Sequence, residues 1–304
     1  MRNDKFFKEN FATDLELYHS LSEIQNMLNT IITGNQNWYQ DMEVHSFVLA
    51  CIEELNELKD CVSWKWWKPN TTNSDIDVEN MKIEIVDFLH FLLSIIYILK
   101  TRYNHIYEKM YKSVISENDI LDLYRYKYKH YNLSQLKPKD YTHIACMLLF
   151  YITELNLVYE SGKIEITELT KNIKDKHDNY INELASKIYQ NDLHIRILIK
   201  IIVRIVKYMD ILRYLINFKN DEFILYYILK ASLNIYRSKY GYRDGRYKKI
   251  REKYGEDNNI LHVIYNMLSK EKKQEILSSV DKKENYEKVI LEDVFSTINE
   301  LSEG

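Results

Sequence analysis

The sequence contains few of the residues that interrupt helices: among its 304 residues, only 6 are glycine and 2 are proline. Between them lie long stretches rich in Leu, Ile, Lys and Glu, with no repeat of fixed period and no low-complexity segment. Because helix breakers are so scarce and good helix formers so frequent, we predict an almost entirely helical protein.

Cysteine is also scarce. The three cysteines, Cys51, Cys61 and Cys146, are odd in number and show no C-x-x-C spacing, so the sequence predicts neither a disulfide framework nor a cysteine-based metal site. Cys51 and Cys61 fall on the apolar side of a predicted helix. We expect them to be buried free thiols in a reducing compartment.

Long apolar runs are lacking too. The first residues are followed by no apolar leader segment, and the most apolar run, 88–99, is too short to cross a membrane. Residues 194–216 are apolar but carry a charged stripe, which predicts a buried helix with one solvent face. The stripe consists of Arg196, Lys200, Arg204, Lys207 and Arg213.

Neither sign of charge is in large excess. The net charge of −3 argues against a general nucleic-acid binder. The hydrophobic fraction of 46% and the charged fraction of 29% are typical of a soluble globular protein. We therefore expect a cytoplasmic protein without a nucleic-acid or membrane partner.

The positions of the few breakers predict where helices begin and end. The predicted helices span about 12–33, 43–62, 77–100 and, after Pro138, about 140–161, where Ser161-Gly162 ends the helix. Two more polar helices are predicted beyond Glu256. The middle of the chain, about 101–225, shows helix after helix with few landmarks.

Two pairs of carboxylates stand out, Glu54 with Glu57 and Glu84 with Asp87. Residues three apart share a helix face, so each helix directs two carboxylates one way. Four carboxylates that meet repel each other unless cations lie among them, and hard oxygen ligands suit Mg²⁺. The alternative is two solvated helix faces. The apolar neighbours of Glu84 and Asp87, within 83–89, favour the metal site, because carboxylates in such a segment seldom lack partners.

A second constellation begins at Lys230. Lys230, Asn234 and Arg237 are spaced i, i+4, i+7 and so share one helix face. Three of the 6 glycines then follow, at Gly241, Gly245 and at position 255, which indicates backbone that needs positive φ or approaches a ligand closely. For the basic run 243–253 the alternatives are a solvated loop and a flexible segment that covers phosphates, and its glycines and tyrosines favour the second.

Taken together, these residues resemble the dimeric, all-α dUTPases, which are related to the MazG-type nucleotide pyrophosphohydrolases. Four blocks carry the resemblance, over residues of roughly 20–95 and 228–262. They are Gln25-x-x-x-Asn29 with Trp38; Glu54-x-x-Glu57 running into Trp64-Lys65-Trp66-Trp67-Lys68; Asn80-x-x-x-Glu84-x-x-Asp87 with Leu89-His90-Phe91; and Lys230-x-x-x-Asn234-x-x-Arg237 continuing through Gly241-Tyr242, Gly245-x-Tyr247-x-Lys249 and Glu256-Asp257-Asn258. The carboxylate pairs are shared across the superfamily, whereas the tryptophan cluster and the C-terminal block are specific to the dUTPase branch.

The resemblance implies a reaction. It implies Mg²⁺-dependent hydrolysis of dUTP, and also of dUDP, to dUMP, with water attacking the β-phosphorus and Glu54 as the catalytic base. The metal ligands implied are Glu54, Glu57, Glu84 and Asp87. His90 is expected to be a core residue or to lie behind the ligands rather than among them.

The resemblance also implies substrate contacts. Lys230, Arg237 and Lys249 are expected to bind phosphates, with Lys65 nearby. Gln25 and Asn29 offer amide groups to a uracil edge. The remaining substrate-binding candidates are Trp66 at the base or sugar (core is its alternative), Asn234 and Tyr242 at the sugar and phosphates, and Asn80.

The implied fold is one all-α multi-helix bundle over residues 1–304, with a rigid metal-binding part, a smaller mobile part and a divergent or enlarged middle at 101–225. A homodimer is implied as well. Two other functions stay open: a broader pyrophosphohydrolase, such as a dCTP-cleaving relative, and a non-enzymatic helical interaction protein.

Overall fold

The computed structural model describes residues 15–62, 64, 76–116, 138–172, 180–242, 244–247, 250–251, 255–282 and 294–298. The helices in these ranges are α1 (Leu15–Thr33), α2 (Trp38–Asp41), α3 (Val44–Asp60), α4 (Val78–Ser116), α5 (Pro138–Asn172), α6 (Tyr180–Leu215), α7 (Asn220–Lys239), α8 (Asn259–Met267) and α9 (Lys270–Lys282). Two short strands, β1 (Ile250–Arg251) and β2 (Gly255–Glu256), pair antiparallel. The predicted all-α fold class is confirmed.

Helix α4 lies at the centre of the fold. Nearly every residue of 83–99 is buried, and α1, α3, α6 and α7 pack against it. A helix that is apolar on all sides is expected in exactly such a surrounded position, because each face removes apolar surface from water. The polar side chains on this helix are therefore buried as well, and they need partners from the neighbouring helices.

The connection between α3 and α4 places the two carboxylate pairs side by side. Val62 and Ile76 form an isolated antiparallel bridge, and the backbone N–H of Asp77 donates to the carbonyl of Cys61 at 2.9 Å. The end of α3 and the start of α4 are thereby fastened together. Since one pair lies late in α3 and the other early in α4, this junction brings them to the same end of the bundle.

Two helix boundaries differ from the sequence prediction. Helix α4 continues to Ser116, beyond the expected end near residue 100, and α5 continues through Ser161-Gly162 to Asn172. The prediction that Ser161-Gly162 ends a helix was wrong. A single interior glycine costs a helix only about 1 kcal/mol relative to alanine, and the good helix formers around it outweigh that cost.

The thiols and the tail agree with the sequence prediction. Cys51 and Cys61 are free and buried, while Cys146 is free and exposed. Helices α8 and α9 account for the two helices predicted beyond Glu256. The residues of the charged stripe lie on α6 as expected, except that Arg213 is fully buried and donates to Asp210 at 3.2 Å.

One helical segment in the described part of the chain, Asp140–Ser161, is long and apolar enough to cross a membrane by length and composition alone. A core helix of a soluble protein passes the same criterion, so the finding is weak evidence. This segment packs against α6 and α3, and its side chains at Ile144, Leu148, Ile152 and Leu155 are buried in the core.

The turn after α7 depends on glycine. Gly241 has φ +88°, and a Cβ there would lie 3.1 Å from Cβ of Arg246. Gly34, which follows α1, has φ +69° but no atom within 4 Å of such a Cβ. A left-handed conformation costs a non-glycine residue about 1–2 kcal/mol, and only Gly241 adds a steric conflict to that cost.

We therefore expect Gly241→Ala to lower the free energy of unfolding more than Gly34→Ala does. The matched pair shares positive φ and differs in crowding, so thermal or urea denaturation of the two variants isolates the steric contribution. A Gly34→Ala variant that is the less stable of the two would contradict this explanation.

Candidate active site

A cavity of about 440 Å³ opens among α1, α3, α4 and α7, a volume within the usual range for small-molecule sites. Most of the residues that line it are polar or charged, and the others are apolar. The lining residues are Gln25, Leu28, Asn29, Ile32, Phe47, Glu54, Glu57, Asp87, His90, Phe91, Ser94, Lys230, Asn234, Arg237, Ser238, Tyr242 and Asn258. Many of the residues singled out in the sequence thus meet around one space.

The acidic end of the cavity brings carboxylates from two helices together. Glu54 on α3 and Glu84 and Asp87 on α4 each place an oxygen within 4.8 Å of the others. Glu57 lies one turn further along α3, is exposed, and lines the cavity. The two predicted pairs therefore converge, although only three of the four carboxylates form the tight cluster.

The cluster is electrostatically costly in its own right. Burial raises the pKa of Glu54 above the ordinary carboxyl value, and the negative charges of Asp87 and Glu57 raise it further. Burial also raises the pKa of Glu84, with Asp87, Glu57 and Glu54 acting in the same direction. Carboxylates so placed favour a bound cation or a proton.

Glu84 shows that the cluster suits a metal ion. Its side chain is only 4% exposed, and its Oε2 atom has no hydrogen-bond partner among the described residues. An unpaired buried carboxylate oxygen is expensive, and a hard divalent cation held by oxygen ligands would satisfy it. The donor set of Glu54, Glu84 and Asp87 therefore fits a divalent metal ion, and Glu57 lines the cavity nearby.

A second wall of the cavity, which adjoins the acidic one, is cationic and comes from α7. Nζ of Lys230, which is 2% exposed, donates to Oδ2 of Asp87 at 2.6 Å and to Oδ1 of Asn258 at 2.8 Å. Nη2 of Arg237 donates to the same Asn258 oxygen at 2.8 Å. The i, i+4, i+7 spacing thus places two buried cations and Asn234 along one side of the cavity.

Arg237 is held from behind by Asp257, which is fully buried. Nε and Nη2 of Arg237 donate to the two oxygens of Asp257 at 2.9 and 2.6 Å, and the hydroxyl of Tyr247 donates to Oδ2 at 2.7 Å. Burial alone would raise the pKa of Asp257, but the hydrogen bonds and charge of Arg237 lower it. This bidentate ion pair fixes the plane of the guanidinium.

The other end of the cavity carries the amide pair predicted for the base. Oε1 of Gln25 accepts from Nδ1 of His90 at 2.7 Å and from the hydroxyl of Tyr227 at 3.1 Å. Nε2 of Gln25 donates to Oδ1 of Asn29 at 2.9 Å, and Nδ2 of Asn29 donates to Oγ of Ser94 at 2.9 Å. The amides are therefore held by a connected network rather than left free to rotate.

The remaining predicted residues divide into three groups. Tyr242 is exposed and lines the cavity next to the turn at Gly241. Asn80 lies near the start of α4, where its amide donates to Sγ of Cys61 at 3.2 Å, and it is not among the cavity-lining residues. Lys65, Trp66 and Lys249 lie outside the described residues, so their roles stay predictions.

Several residues that shape the site were not predicted from the sequence. Asn258 and Asp257 were part of the quoted C-terminal block but carried no assigned role, and Ser94 and Tyr227 were not singled out. Asn258 and Asp257 had one available signal, since polar residues just before a predicted helix are candidates for caps or ligands. Ser94 and Tyr227 sit inside apolar helices, and no local pattern reveals what they face.

Asn258 offers a test of the cationic wall. Its side-chain oxygen accepts from both Lys230 and Arg237. Asn258→Ala removes this shared acceptor, so both cations become less well positioned, and anion binding is expected to weaken by about 1–2 kcal/mol. The measurement is the affinity for inorganic triphosphate by calorimetry. The exposed neighbour Asn259→Ala is the matched control, and equal losses in the two variants would contradict the role given to Asn258.

Comparison with known proteins agrees with the geometry. The family model described as dUTPase matches residues 17–242, which run from the first turn of α1 through α7 to the turn at Gly241. A search of curated proteins found no match.

Proposed function

We infer the reaction from one premise: the chain belongs to the dUTPase family, whose model matches residues 17–242. It is accordingly an enzyme, a dUTP diphosphatase, and its substrate is a nucleotide. Beyond that premise, we propose that it requires Mg²⁺, that Glu54 is the catalytic base, and that dUDP is a second substrate.

One observation carries the proposal. A cluster of carboxylates, Glu54, Glu84 and Asp87, lies beside two buried cations, Lys230 and Arg237. All of them except Glu84 line one cavity. A triphosphate with divalent cations is the kind of ligand that needs both walls, because its oxygens bind metal ions and basic side chains alike.

The residues that would hold Mg²⁺ are Glu54, Glu84 and Asp87, with Glu57 as a further ligand. A bound divalent cation would supply charge neutralisation at the phosphates and make water a better nucleophile. Until it binds, Nζ of Lys230 neutralises Asp87 at 2.6 Å.

Glu54 is proposed as the base because of its position and its environment. It lies on the cavity wall and is only partly buried, unlike Glu84, which is 4% exposed. A general base works best when its pKa lies near the working pH, and burial moves the pKa of Glu54 upward in that direction. It would take the proton of the attacking water while Lys230 and Arg237 hold the phosphate chain.

The base of the nucleotide is assigned to the Gln25 end of the cavity. Asn29 and Gln25 present amide groups there, and Phe47, Phe91 and Ile32 supply apolar surface. A polar edge with apolar flanks is the usual composition of a small-molecule pocket.

The alternative of a broader nucleotide pyrophosphohydrolase, such as a dCTP-cleaving relative, keeps the same phosphate chemistry and differs only at this amide end. A non-enzymatic interaction protein is disfavoured by the family match and by the carboxylates and cations that line the cavity.

The test uses purified full-length protein with dUTP, dUDP, dTTP and dCTP, each with Mg²⁺ and with EDTA. We expect Mg²⁺-dependent release of dUMP and pyrophosphate from dUTP, and of dUMP and phosphate from dUDP. In ¹⁸O-labelled water, attack at the β-phosphorus places the label in pyrophosphate rather than in dUMP. Full turnover in EDTA would contradict the proposed requirement for Mg²⁺. Faster cleavage of dCTP than of dUTP would favour the broader nucleotide pyrophosphohydrolase.

We further propose a homodimer in a reducing, cytoplasmic compartment. Exposed apolar side chains on α5, namely Leu149, Phe150 and Leu157, support a contact between copies, and the buried free thiols Cys51 and Cys61 support the compartment. Light scattering of the purified protein tests the dimer, which a monomeric mass across micromolar concentrations would exclude.

A further inference from the structure

Four side chains and one carbonyl form a closed ring of hydrogen bonds at the amide end of the cavity. Oγ of Ser94 donates to the backbone carbonyl of His90 at 2.9 Å, and Nδ2 of Asn29 donates to Oγ of Ser94 at 2.9 Å. Nε2 of Gln25 donates to Oδ1 of Asn29 at 2.9 Å, and Nδ1 of His90 lies 2.7 Å from Oε1 of Gln25. The ring thus starts at the backbone of His90 and ends at its own imidazole.

The direction of this ring, meaning which group donates and which accepts at each hydrogen bond, is fixed at one point. A backbone carbonyl only accepts, so the hydroxyl proton of Ser94 must point to the carbonyl of His90, and Oγ must then accept from Asn29. Asn29 consequently presents its NH₂ to Ser94 and its oxygen to Gln25. Reversing either amide would place two donors or two acceptors against each other.

The last step of the ring concerns His90, which is 4% exposed. Burial and the charge of Lys230 lower the pKa of its imidazole to about 3, so the ring is neutral near pH 7. Its Nδ1 faces the carbonyl oxygen of Gln25 and must therefore carry the proton. Nε2 is left as a bare acceptor, and it has no hydrogen-bond partner among the described residues.

Tyr227 packs behind the amide of Gln25. Its hydroxyl lies 3.1 Å from Oε1 of Gln25 and 3.2 Å from the backbone carbonyl of Leu21. Its single proton is shared between these two acceptors, so the direction of the ring rests on Ser94 rather than on Tyr227. The rings of Tyr227 and His90 also stack, with centroids 4.6 Å apart, so the imidazole cannot turn without displacing Tyr227.

We propose that Ser94 is a positioning residue that sets base specificity: its hydroxyl locks the amide of Asn29 so that donor and acceptor match the O4 and N3–H edge of a pyrimidine-2,4-dione. Cytosine presents the opposite order, an amino donor beside an acceptor nitrogen, and meets the locked amide donor against donor and acceptor against acceptor. The inference rests on the proposed function, since it assumes that the base binds at Asn29, which lines the cavity.

Thymine shares the O4 and N3–H edge with uracil. The ring direction therefore separates uracil and thymine from cytosine, and it does not separate uracil from thymine. This asymmetry gives the proposal an internal control, because a merely structural effect of changing Ser94 would act on all three nucleotides alike.

The first measurement needs no activity. In ¹⁵N-histidine-labelled protein without nucleotide, NMR shifts of the two ring nitrogens report which one carries the proton, with His90 assigned by the signal lost in His90→Gln. We expect the neutral Nδ1–H tautomer at pH 7. An Nε2–H tautomer or an imidazolium ion would overturn the proposal, whether or not the protein hydrolyses dUTP, so this result is separable from failure of the proposed function.

The second measurement compares kcat/KM for dUTP, dTTP and dCTP in Ser94→Ala and Ser94→Thr. Removing the hydroxyl frees the amides to reverse, so the dUTP to dCTP ratio is expected to fall about 10- to 100-fold in Ser94→Ala, while the dUTP to dTTP ratio stays unchanged. Threonine retains the hydroxyl and is expected to restore the ratio. An unchanged dUTP to dCTP ratio in a folded Ser94→Ala would refute the role; if that variant does not fold, the tautomer of the wild-type protein and the Ser94→Thr ratio still decide.

Discussion

Replacing Glu54 by glutamine is expected to lower kcat for dUTP by about 10²- to 10⁴-fold, the usual contribution of a positioned general base. The amide keeps the shape of the side chain and one acceptor oxygen, but it replaces the other oxygen by an NH₂ donor and cannot take a proton. Glu54 lies on the wall of the cavity that also holds Lys230 and Arg237, so its loss should slow the chemical step more than it weakens nucleotide binding. Steady-state kinetics with saturating Mg²⁺ measures the change.

The adjacent residue provides the control. Glu53 lies on the same helix, is exposed, and does not line the cavity, so Glu53→Gln should turn over dUTP at the wild-type rate. Calorimetric titration with Mg²⁺ then separates the two roles given to Glu54: a base alone leaves metal affinity nearly intact, whereas a base that is also a ligand loses both. A Glu54→Gln variant with wild-type kcat would show that another group is the base.

The sequence predicted the helical fold correctly, and it also predicted which charged side chains share a helix face, because both rest on local patterns. Helix α4 has apolar residues on every face, and such a segment has to lie at the centre of a bundle. The spacing of Glu84 and Asp87, like that of Lys230, Asn234 and Arg237, is a helical period that places them on one face before any tertiary contact is known.

Other parts of the site depend on contacts that no local pattern encodes. Lys230 meets Asp87 across 143 residues, and Tyr227 meets Gln25 across 202, so their partnership follows from how α7 packs on α4 and α1. The sequence also placed Asn80 with the substrate-binding residues, while its amide contacts Cys61 at the α3–α4 junction. Asn80 is not among the residues that line the cavity, and its role as a substrate contact stays a prediction.

The cationic wall of the cavity partly offsets the repulsion among the carboxylates of the acidic wall. Three clustered carboxylates destabilise the fold unless a cation is present, and Lys230 supplies one to Asp87 at 2.6 Å. Glu84 is less well compensated: its Oε2 atom is buried without a hydrogen-bond partner among the described residues, and the charge of Lys230 only partly opposes the rise in its pKa. The buried carboxyl of Glu84 therefore lowers the stability of the metal-free fold, and metal binding would raise that stability again.

This imbalance predicts how stability depends on pH. Burial first, and then the charges of Asp87, Glu57 and Glu54, raise the pKa of Glu84 above the ordinary value of 4.5. Between pH 4.5, the ordinary pKa, and about 9, the pKa of Glu84 in the folded protein, the folded protein binds more protons than the unfolded chain. Its free energy of unfolding therefore falls as the pH rises through this range. Without metal, the contribution of Glu84 is greatest below pH 4.5 and is lost as the pH passes the raised folded-state value.

Glu84→Gln should therefore stabilise the metal-free protein at pH 8 while abolishing its response to Mg²⁺. At pH 8 the Glu84 carboxyl has to take up a proton on folding, because its pKa in the folded protein is raised to about 9. The amide avoids this cost, which is expected to add on the order of 1–3 kcal/mol to the free energy of unfolding. Loss of a carboxylate ligand should weaken Mg²⁺ binding at least 10- to 100-fold and lower turnover accordingly. Thermal denaturation at pH 5 and pH 8, in EDTA and in Mg²⁺, measures all of these effects, with Glu53→Gln as the exposed control. If Mg²⁺ raised the melting temperature of Glu84→Gln as much as that of the wild type, Glu84 would not be a metal ligand, and its burial in the core of the bundle would need another explanation.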